Sequence, residues 1–355
     1  MEDIINMKVV GIGGAGNSVV SRMKSGGTTG VGYCVINTGR SFLSGCAAEE
    51  KLVIGEKVTQ GQGAGSQAEI GRLAAEESQN AIQKLFDGVD AVFLTAGMGG
   101  GTGTGAIPLV AEAARSAGAL TVGVVSLPFR WEGARKMHTA DLGVQALLKQ
   151  VDTLFVIPND NLRKVAAQNA SFADAFAVSD EVLIRAVGNI ADLLRSTAFI
   201  NLDFADLKTV LQGGGIAHLG IGEASGKNKV EDAVSTVIHS DLMDTDIQGA
   251  RRLIINFICS NDLTLDEVFA VMERIRSAAH EDANIIFGID FDDHMVDALR
   301  LVVIATDFGE RFASAAANQE EVEGVVEKQR SAPPVTGKVV SDDDWDALWK
   351  RFFEN

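Results

Sequence analysis

The feature that most constrains the fold is a regular alternation of short apolar runs with helical stretches over residues 7–157. The apolar runs are MKVVGIG (7–13), GYCVIN (32–37), KLVIG (51–55), AVFLTAG (91–97), LTVGVVSLP (120–128) and TLFVIP (153–158). Strands that alternate with helices form βαβ units, in which helices cover both faces of a parallel sheet. This part of the sequence therefore predicts a Rossmann-like α/β domain.

A long helix and a second α/β region follow. Apolar residues recur at helical spacing across 173–195, which predicts a helix with a wide apolar stripe. Thr264 and Glu267 have the spacing of a capping box for a helix over 265–278. Helices alternate there with predicted strands near 216–224, 252–259, 284–290 and 300–306. We divide the chain into a first domain, a central helix, a second α/β domain, a flexible linker and a tail, at 1–172, 173–200, 201–314, 315–340 and 341–355.

The composition argues against several classes of protein. The chain has 355 residues, 46% of them apolar, and a formal net charge of −17. Nucleic-acid-binding proteins usually carry basic patches, so this charge argues against nucleic acid as a partner. The sequence has no apolar run of 18 residues and no basic start typical of a secretory signal, so we expect neither a membrane span nor secretion. Its three cysteines lack metal-ligand spacing and are expected to stay reduced in the cytoplasm.

The first predicted strand runs into a glycine-rich turn with the pattern G-x-G-x-x-G over 11–16, just before a helix. Such a turn lets the backbone and the helix N-terminus approach a phosphate, although a tight turn without a ligand is the alternative. An NAD site also requires an acidic residue about 20 positions on. No Asp or Glu occurs between Asp3 and Glu49, which disfavours NAD. An NADP enzyme that uses Arg40 for the 2′-phosphate remains open.

A second glycine-rich turn, GMGGGTGTGA over 97–106, follows the fourth apolar run and also precedes a helix. Both turns fall at the carboxyl ends of parallel strands, where such sheets bind ligands. Two glycine turns at one edge favour a polyphosphate held from two sides over NADP, and over a flexible surface loop. The turn lacks the lysine of a Walker loop. We therefore expect backbone amides and the hydroxyls of Thr102 and Thr104 to hold the phosphates, with a metal ion supplying positive charge.

Two further clusters are predicted to lie at the same edge of the sheet. The segment 61–65 is another glycine-rich loop before a helix, and 128–136 follows the fifth strand. Within the second cluster, Glu132 could accept hydrogen bonds from a ribose. Taken alone, that cluster is equally compatible with a solvated helix start.

Asp203 and Asp206 form an acidic cluster between the long helix and the next one. By spacing alone they are a helix cap and a favourable charge at a helix N-terminus. Their alternative role is to orient a water on a phosphate. A helix of about 22 residues spans roughly 33 Å, so these carboxylates are expected to reach the phosphates of a neighbouring copy rather than their own.

The motifs GIGGAGN (11–17), GMGGGTGTGA (97–106), VDTLFVIPND (151–160) and NLDFADLKTV (201–210) together resemble the FtsZ family, the prokaryotic relatives of tubulin. The resemblance covers roughly residues 7–310. It implies a GTP-binding domain, a central helix and a second domain, with GTP or GDP and Mg²⁺ as ligands. It also implies hydrolysis of GTP, head-to-tail polymerisation into protofilaments, and a scaffolding role in cell division at mid-cell.

The resemblance also assigns roles to residues by position. Ala64 and Gly65 match the loop that senses the γ-phosphate, Glu132 the ribose contact, Phe176 the residue stacked on guanine and Asp180 the residue that reads its edge. Asn201, Asp203 and Asp206 match the loop that completes the active site of the next subunit. The remaining nucleotide-binding positions are Gly13, Gly14, Ala15, Gly16, Asn17, Ser18, Asn37, Gly99, Gly100, Gly101, Thr102, Gly103, Thr104, Arg135 and Lys136.

The sequence departs from the family pattern at several of these sites. Ser18 stands where Asn is frequent, Gly39 replaces an Asp, and Lys136 stands where Arg is usual, although Arg135 is adjacent. The turn at 66–69 lacks its usual proline. A GTP-binding filament or regulator that hydrolyses GTP weakly therefore remains an alternative.

The tail predicts a partner-binding helix. Its apolar residues are spaced at i, i+3, i+4, i+7 and i+8, and the acidic segment 341–344 provides a cap. We expect it to dock into a groove of a membrane adaptor or another division protein, with packing on its own body or membrane contact as alternatives. The acidic lead-in argues against anionic lipid. The residues of this face are Trp345, Leu348, Trp349, Phe352 and Phe353.

Overall fold

Seven parallel strands form the first sheet, and the residues of its five inner strands are almost all buried, as expected for strands covered on both faces. The computed structural model describes residues 5–26, 30–165, 172–193, 199–200 and 202–309. Within them the sheet has the order β3-β2-β1-β4-β5-β6-β7. Its strands are β1 (Met7–Ile12), β2 (Gly32–Asn37), β3 (Glu50–Val53), β4 (Ala91–Gly97), β5 (Leu120–Leu127), β6 (Thr153–Pro158) and β7 (Gly215–Ile216).

The strand order reverses between β1 and β4, which are hydrogen-bonded neighbours with Gly11 opposite Thr95. Ligands of open α/β sheets bind beside such a switch point, at the carboxyl ends of the strands. The helices in chain order are α1 (Gly13–Ser25), α2 (Arg40–Ser44), α3 (Glu56–Thr59), α4 (Ala68–Glu77), α5 (Gln79–Lys84), α6 (Thr102–Ser116), α7 (Ala134–Leu148), α8 (Leu162–Val165), α9 (Phe172–Leu193), α10 (Phe204–Leu211), α11 (Lys229–Ile238) and α12 (Leu265–Ala278).

The long helix α9 packs against α1 and β5 through the apolar stripe seen in the sequence. Leu183, Val187 and Ile190 on that stripe are at most 1% exposed. Burying side chains of this size stabilises the packing by about 1.5–3 kcal/mol each. Among the described residues, no helix combines the length and apolar character that crossing a membrane requires.

A second sheet of four strands has the order β10-β9-β11-β8. β9 and β10 are parallel, and β11 runs antiparallel to both β9 and β8. Thr264 and Glu267 form the predicted capping box at the start of α12, where each accepts a backbone N–H from the other. The strands are β8 (His218–Ser225), β9 (Arg252–Cys259), β10 (Asn284–Phe291) and β11 (Ala298–Thr306).

The predicted fold class is confirmed, with one difference near residue 217. The single strand expected over 216–224 is two strands that belong to different sheets, because β7 pairs with β6 whereas β8 pairs with β11. The chain reaches β7 through Gly213 and Gly215, both with positive φ, which lets it turn sharply from α10 into the first sheet.

Candidate functional site

A cavity of about 490 Å³ opens at the carboxyl ends of β1, β4, β5 and β6. Its size lies within the range of small-molecule sites. Most of the residues predicted to bind a nucleotide line it, and they come from six separate segments of the chain. Those residues are Gly13, Gly14, Ala15, Asn37, Ala64, Gly65, Gly100, Gly101, Thr102, Gly103, Glu132, Lys136 and Asp180.

The two glycine turns predicted at this edge touch each other. Gly13 has φ of +75°, and a Cβ placed on it would lie 2.8 Å from the amide nitrogen of Gly103. A Cβ on Gly16 would lie 2.3 Å from the carbonyl oxygen of Thr95, at the end of the adjacent strand. Side chains at these positions would force the turns apart, so glycine is required for the two turns to share one cavity.

The glycines of the 97–106 turn serve two different purposes. A Cβ on Gly105 would lie 1.9 Å from the carbonyl oxygen of Ala68, and one on Gly101 would lie 2.9 Å from Ala64 Cβ. These glycines let α6 and its loop pack against α4 and the 61–65 loop. By contrast, Gly100 in this turn and Gly14 in the first turn have no other atom within 4 Å of a Cβ position, although both line the cavity.

Two helices begin at the cavity without a side-chain cap. α1 starts at Gly13 and α6 at Thr102, and within the described part of the chain no side chain caps the first amides of either helix. The first turn of a helix has N–H groups without intrahelical partners and a partial positive charge. Both helix starts are therefore suited to bind an anion such as a phosphate.

The two threonines of the second turn are placed differently. Thr102 lines the cavity, and its hydroxyl lies 2.6 Å from that of Thr38. Thr104 is buried, does not line the cavity, and accepts a hydrogen bond from the Gly99 amide at 2.9 Å. Successive helical residues point in different directions, so Thr104 holds the loop in place instead of facing the cavity. Gly99 likewise lies behind the lining, with a φ of +90°.

Hydrogen bonds of Asn17 and Asn37 hold the first glycine turn in place. In the amide orientation that satisfies its neighbours, Asn17 donates to the carbonyl oxygens of Gly13 and Gly11 at 2.9 and 3.0 Å, and accepts from Asn37 Nδ2 at 3.0 Å. Asn17 does not line the cavity, nor does Ser18, which donates to the carbonyl of Gly14 at 3.2 Å.

The loop after β5 places two charges at the cavity. Glu132 accepts a hydrogen bond from the Phe129 amide at 2.8 Å and forms an ion pair with Lys136, and both lie in the lining. Arg135 is exposed and is not part of the lining. The lysine at 136 therefore occupies the position facing the cavity, and the adjacent arginine does not replace it.

Helix α9 contributes Asp180 to the opposite side of the lining. Its carboxylate lies 3.4 Å from Arg22 Nε of α1, and its side chain is 14% exposed. Burial raises the pKa of Asp180 above its ordinary value, and the Arg22 guanidinium opposes that shift. Phe176 lies one helical turn earlier on α9, and its side chain is outside the described part of the structure.

Several lining residues were not predicted from the sequence. Ser126 lies next to the last residue of β5, and Asn159 directly follows β6. The rule that places ligands at strand ends could therefore have found both. Phe42 is exposed, and its ring lies where a Cβ on Gly39 would be, at 2.5 Å. The glycine at position 39 thus makes room for an aromatic ring. Ser66 and Leu127 also line the cavity and lie outside the predicted loops, whereas Gln62, Gly63, Gly97, Met98 and Pro128 belong to the loops predicted at this edge but were not named individually as binding residues.

The residue required for an NADP site lies away from the cavity. Arg40 forms an ion pair with Glu56 of α3 and is not in the lining. Nothing in the described lining therefore provides the arginine that a 2′-phosphate needs.

The charges that line the cavity do not by themselves favour a polyphosphate. The described lining contains one cationic side chain, Lys136, and two carboxylates, Glu132 and Asp180. In the described part of the chain, His, Cys, Asp and Glu side chains nowhere gather in threes as a metal site. Besides Lys136, the positive potential that the described lining offers comes from the uncapped helix starts.

Asp203 and Asp206 form a capping box at the start of α10. Asp203 Oδ1 accepts the Asp206 amide at 2.7 Å, and Asp206 Oδ2 accepts the Asp203 amide at 3.2 Å. The capping interpretation of this pair is therefore confirmed. Neither residue lines the cavity, whose described lining residues all lie between Gly13 and Asp180. Asn201 lies outside the described residues, as do the tail residues from Trp345 to Phe353.

Comparison with protein families gives two matches along the chain. Residues 6–167 match "Tubulin/FtsZ family, GTPase domain", and residues 215–309 match "FtsZ family, C-terminal domain". The chain is 45% identical over 331 residues to "Cell division protein FtsZ 1" of Rhizobium meliloti (strain 1021). That alignment covers 92% of this chain and 56% of the relative, so the chain spans little more than half of that protein's length.

Two solved structures show how far the likeness extends. "FtsZ dimer, empty" from M. jannaschii is 41% identical, with a TM-score of 0.79 over 86% of this chain and 89% of that one. The GTPgS-bound protofilament of CetZ2 from Haloferax volcanii is 21% identical, with a TM-score of 0.75 over 91% of this chain and 100% of that one. At that lower identity the second structure is similar in fold alone.

Proposed function

The chain belongs to the tubulin/FtsZ family, and from this premise we propose that it binds GTP in the cavity and hydrolyses it when a second copy completes the site. The observation that carries the proposal is the separation of two half-sites. The described cavity lining ends at Asp180, whereas the carboxylates of Asp203 and Asp206 lie at the start of α10. A head-to-tail contact between copies would bring the two halves together.

Each part of the cavity suits a different part of GTP. The uncapped starts of α1 and α6 provide amides for the phosphates, and the 61–65 loop, which contributes to the lining, is proposed to sense the γ-phosphate. Glu132 accepts hydrogen bonds from the ribose hydroxyls. Asp180 accepts hydrogen bonds from the edge of guanine, with Phe176 as the stacking residue.

The donor set fits Mg²⁺ that is bound mainly through the nucleotide. Mg²⁺ commonly keeps several waters and binds through substrate phosphates with few protein ligands. The Thr102 hydroxyl is the oxygen donor that this chain offers at the start of α6, and no carboxylate cluster is present among the described residues. When bound, the ion supplies the positive charge that the lining lacks.

The carboxylates of α10 complete the site for hydrolysis. Phosphoryl transfer asks little covalent chemistry of the protein and depends on positioning and electrostatics. Asp203 and Asp206 hold the attacking water in line with the γ-phosphate of the neighbouring copy, together with Asn201. The capping box keeps both carboxylates at a fixed position on the helix.

The resulting filament is proposed to act as the scaffold of cell division in the cytoplasm at mid-cell. The relatives named above include a cell division protein, a dimer and a protofilament, which supports this assignment. The tail is proposed to recruit a membrane adaptor or division protein through Trp345, Leu348, Trp349 and Phe352. The domain boundaries at 172, 200, 314 and 340 are part of the same proposal.

The variant Asp206→Asn tests the shared site. Asparagine can still accept the Asp203 amide, so the helix cap is retained while the carboxylate is lost. We expect normal GTP binding and assembly by light scattering, with phosphate release per polymerised subunit lowered about a hundredfold. The matched control is Asp232→Asn, which removes an exposed carboxylate from the first turn of α11 and should leave hydrolysis unchanged. Wild-type hydrolysis by Asp206→Asn polymers would refute the shared site.

A further inference from the structure

The C-terminal end of α10, the helix that bears Asp203 and Asp206, is held by an unusual set of side-chain hydrogen bonds. Five consecutive carbonyl oxygens, from Thr209 to Gly213, each accept a hydrogen bond from a side chain. The last carbonyls of a helix have no intrahelical partner and carry a partial negative charge. We call these bonds the α10 clamp.

Arg252, the first residue of β9, makes three of the five bonds. Its guanidinium donates to the carbonyl oxygens of Thr209 at 3.1 Å, Gln212 at 2.9 Å and Gly213 at 3.1 Å. Its Nε lies 3.2 Å from Asp307 Oδ2, close enough for an ion pair but not aligned for a hydrogen bond. The planar fork of an arginine can bridge several acceptors in one fixed geometry, which a lysine cannot.

The other two bonds come from threonines on opposite sheets. Thr306 of β11 donates to the Val210 carbonyl at 2.7 Å, and Thr153 of β6 donates to the Leu211 carbonyl. The helix end is thus tied both to the sheet that bears the cavity and to the second sheet. Its position relative to each sheet depends on the clamp.

The clamp acts at one end of a short, stiff element. α10 has eight residues, which corresponds to a length of about 12 Å. At its other end, the capping box joins Asp203 and Asp206 to the helix backbone. A tilt at the clamp therefore moves both carboxylates together.

We propose that Arg252 is a positioning residue for GTP hydrolysis, which sets through α10 where Asp203 and Asp206 meet the GTP of a neighbouring copy. This inference rests on the proposed function, because it needs the carboxylates to act across an interface. The Arg252 side chain is 22% exposed, so water can reach the clamp when the guanidinium is removed. Loss of Arg252 therefore loosens the direction of α10 more than it disturbs the fold.

The test compares three variants of the full chain in polymerisation buffer with GTP and Mg²⁺. Arg252→Gln removes the guanidinium, and Arg252→Lys retains the charge without the fork. Arg300→Gln is the matched control, since it removes an exposed guanidinium from the same sheet, where Arg300 pairs with Glu223. The measurements are GDP affinity, critical concentration, and phosphate release per polymerised subunit.

For Arg252→Gln we expect phosphate release to fall about tenfold or more, because a catalytic group misplaced by about 1 Å can lose a hundredfold in rate. GDP affinity and critical concentration should stay at wild-type values. Arg252→Lys should be intermediate, and Arg300→Gln should match the wild type. Thermal unfolding shows whether Arg252→Gln folds. If it does not, the comparison of Arg252→Lys with Arg300→Gln tests the proposal.

Epistasis separates positioning from a merely structural role. If Arg252 acts through Asp206, the double variant Arg252→Gln/Asp206→Asn hydrolyses GTP no more slowly than Asp206→Asn alone. Multiplied losses in the double variant, or wild-type turnover by Arg252→Gln beside a slow Asp206→Asn, would overturn this inference alone. Wild-type turnover by Asp206→Asn would overturn the proposed function, and the inference with it.

Discussion

The starts of α6 and α10 differ in whether side chains cap their first amides. Both helices begin with amides that lack intrahelical partners. At α10, Asp203 and Asp206 close the helix start with a capping box. At α6, none of the described side chains caps the first amides, and the helix start faces a cavity of about 490 Å³.

Two buried polar side chains, neither of which lines the cavity, differ in whether the chain satisfies their hydrogen bonds. His218 of β8 is fully buried, and its ring nitrogens lie 3.0 Å from Thr245 Oγ1 and from the Val237 carbonyl oxygen. Burial lowers the pKa of His218, which keeps the ring neutral in this environment. Thr95 of β4 is also fully buried, yet among the described residues its hydroxyl has no hydrogen-bond partner.

The difference shows which region the ligand completes. Unpaired polar groups cost stability unless something binds them. At the start of α10 and at His218 the chain satisfies its own polar groups, so the start of α10 needs no nucleotide to complete it and can present carboxylates to another molecule. At the cavity the chain leaves amides open, and a bound triphosphate would satisfy them.

The largest expected effect on stability comes from substituting a packed glycine in the 97–106 turn, as compared with one that faces the cavity. Gly105→Ala places a methyl group 1.9 Å from the Ala68 carbonyl oxygen, and we expect it to lower the free energy of unfolding by about 3 kcal/mol or more. Gly100→Ala has open space around its Cβ, so unfolding should change by less than about 1 kcal/mol. Chemical denaturation measures both. Equal destabilisation by the two variants would show that the whole loop packs in the same way.

The affinity for nucleotide should depend on pH through the carboxyl group of Asp180, which lines the cavity. Burial raises the pKa of this carboxyl, so it takes up its proton at a higher pH than an exposed aspartate does. As the pH falls through that raised pKa, GDP affinity should fall by about tenfold per unit, since the proposed contact with guanine requires the ionised carboxylate. In the absence of nucleotide the sign reverses, because ionisation of Asp180 destabilises the fold as the pH rises through the same pKa.

Calorimetric titration with GDP at several pH values measures this dependence. The control is Asp180→Asn, which should bind GDP more weakly and lose the slope. A slope that persists in Asp180→Asn would assign the titration to another group.

Removing the cap of α12, which lies outside the cavity, should have the smallest effect on stability. Thr264→Ala removes half of the capping box of α12, and we expect it to lower the free energy of unfolding by about 1 kcal/mol. Because α12 lies outside the cavity, saturating GDP should stabilise the variant and the wild type equally. Thermal unfolding with and without GDP measures both quantities. A loss of the stabilisation by GDP would connect α12 to the nucleotide site.

Much of the fold and the location of the cavity could be predicted from the sequence, because both depend on regular patterns. Apolar runs between helices predicted the strands, and the rule for parallel strand ends placed the loops at 11–16, 61–65, 97–106 and 128–136 along one cavity. The spacing of Asp203 and Asp206 predicted a cap, and the capping box is present.

What the sequence left open depends on contacts between distant elements. Which glycines pack and which face open space is decided by α4 and the 61–65 loop, which no local pattern reveals. The different roles of Thr102 and Thr104 follow instead from the helix that begins at Thr102, which turns the second hydroxyl towards Gly99. Phe42 reaches the cavity because Gly39 leaves room for its ring. The division of 216–224 between two sheets likewise follows from strand pairing.

The central claim is that the catalytic site is divided between two copies of the chain. The most direct test is the rate of phosphate release from GTP as a function of protein concentration. The account predicts almost no hydrolysis below a threshold concentration, and a linear rise above it that coincides with the onset of light scattering. Hydrolysis proportional to total protein from the lowest concentration would contradict it, since each chain would then hold a complete site.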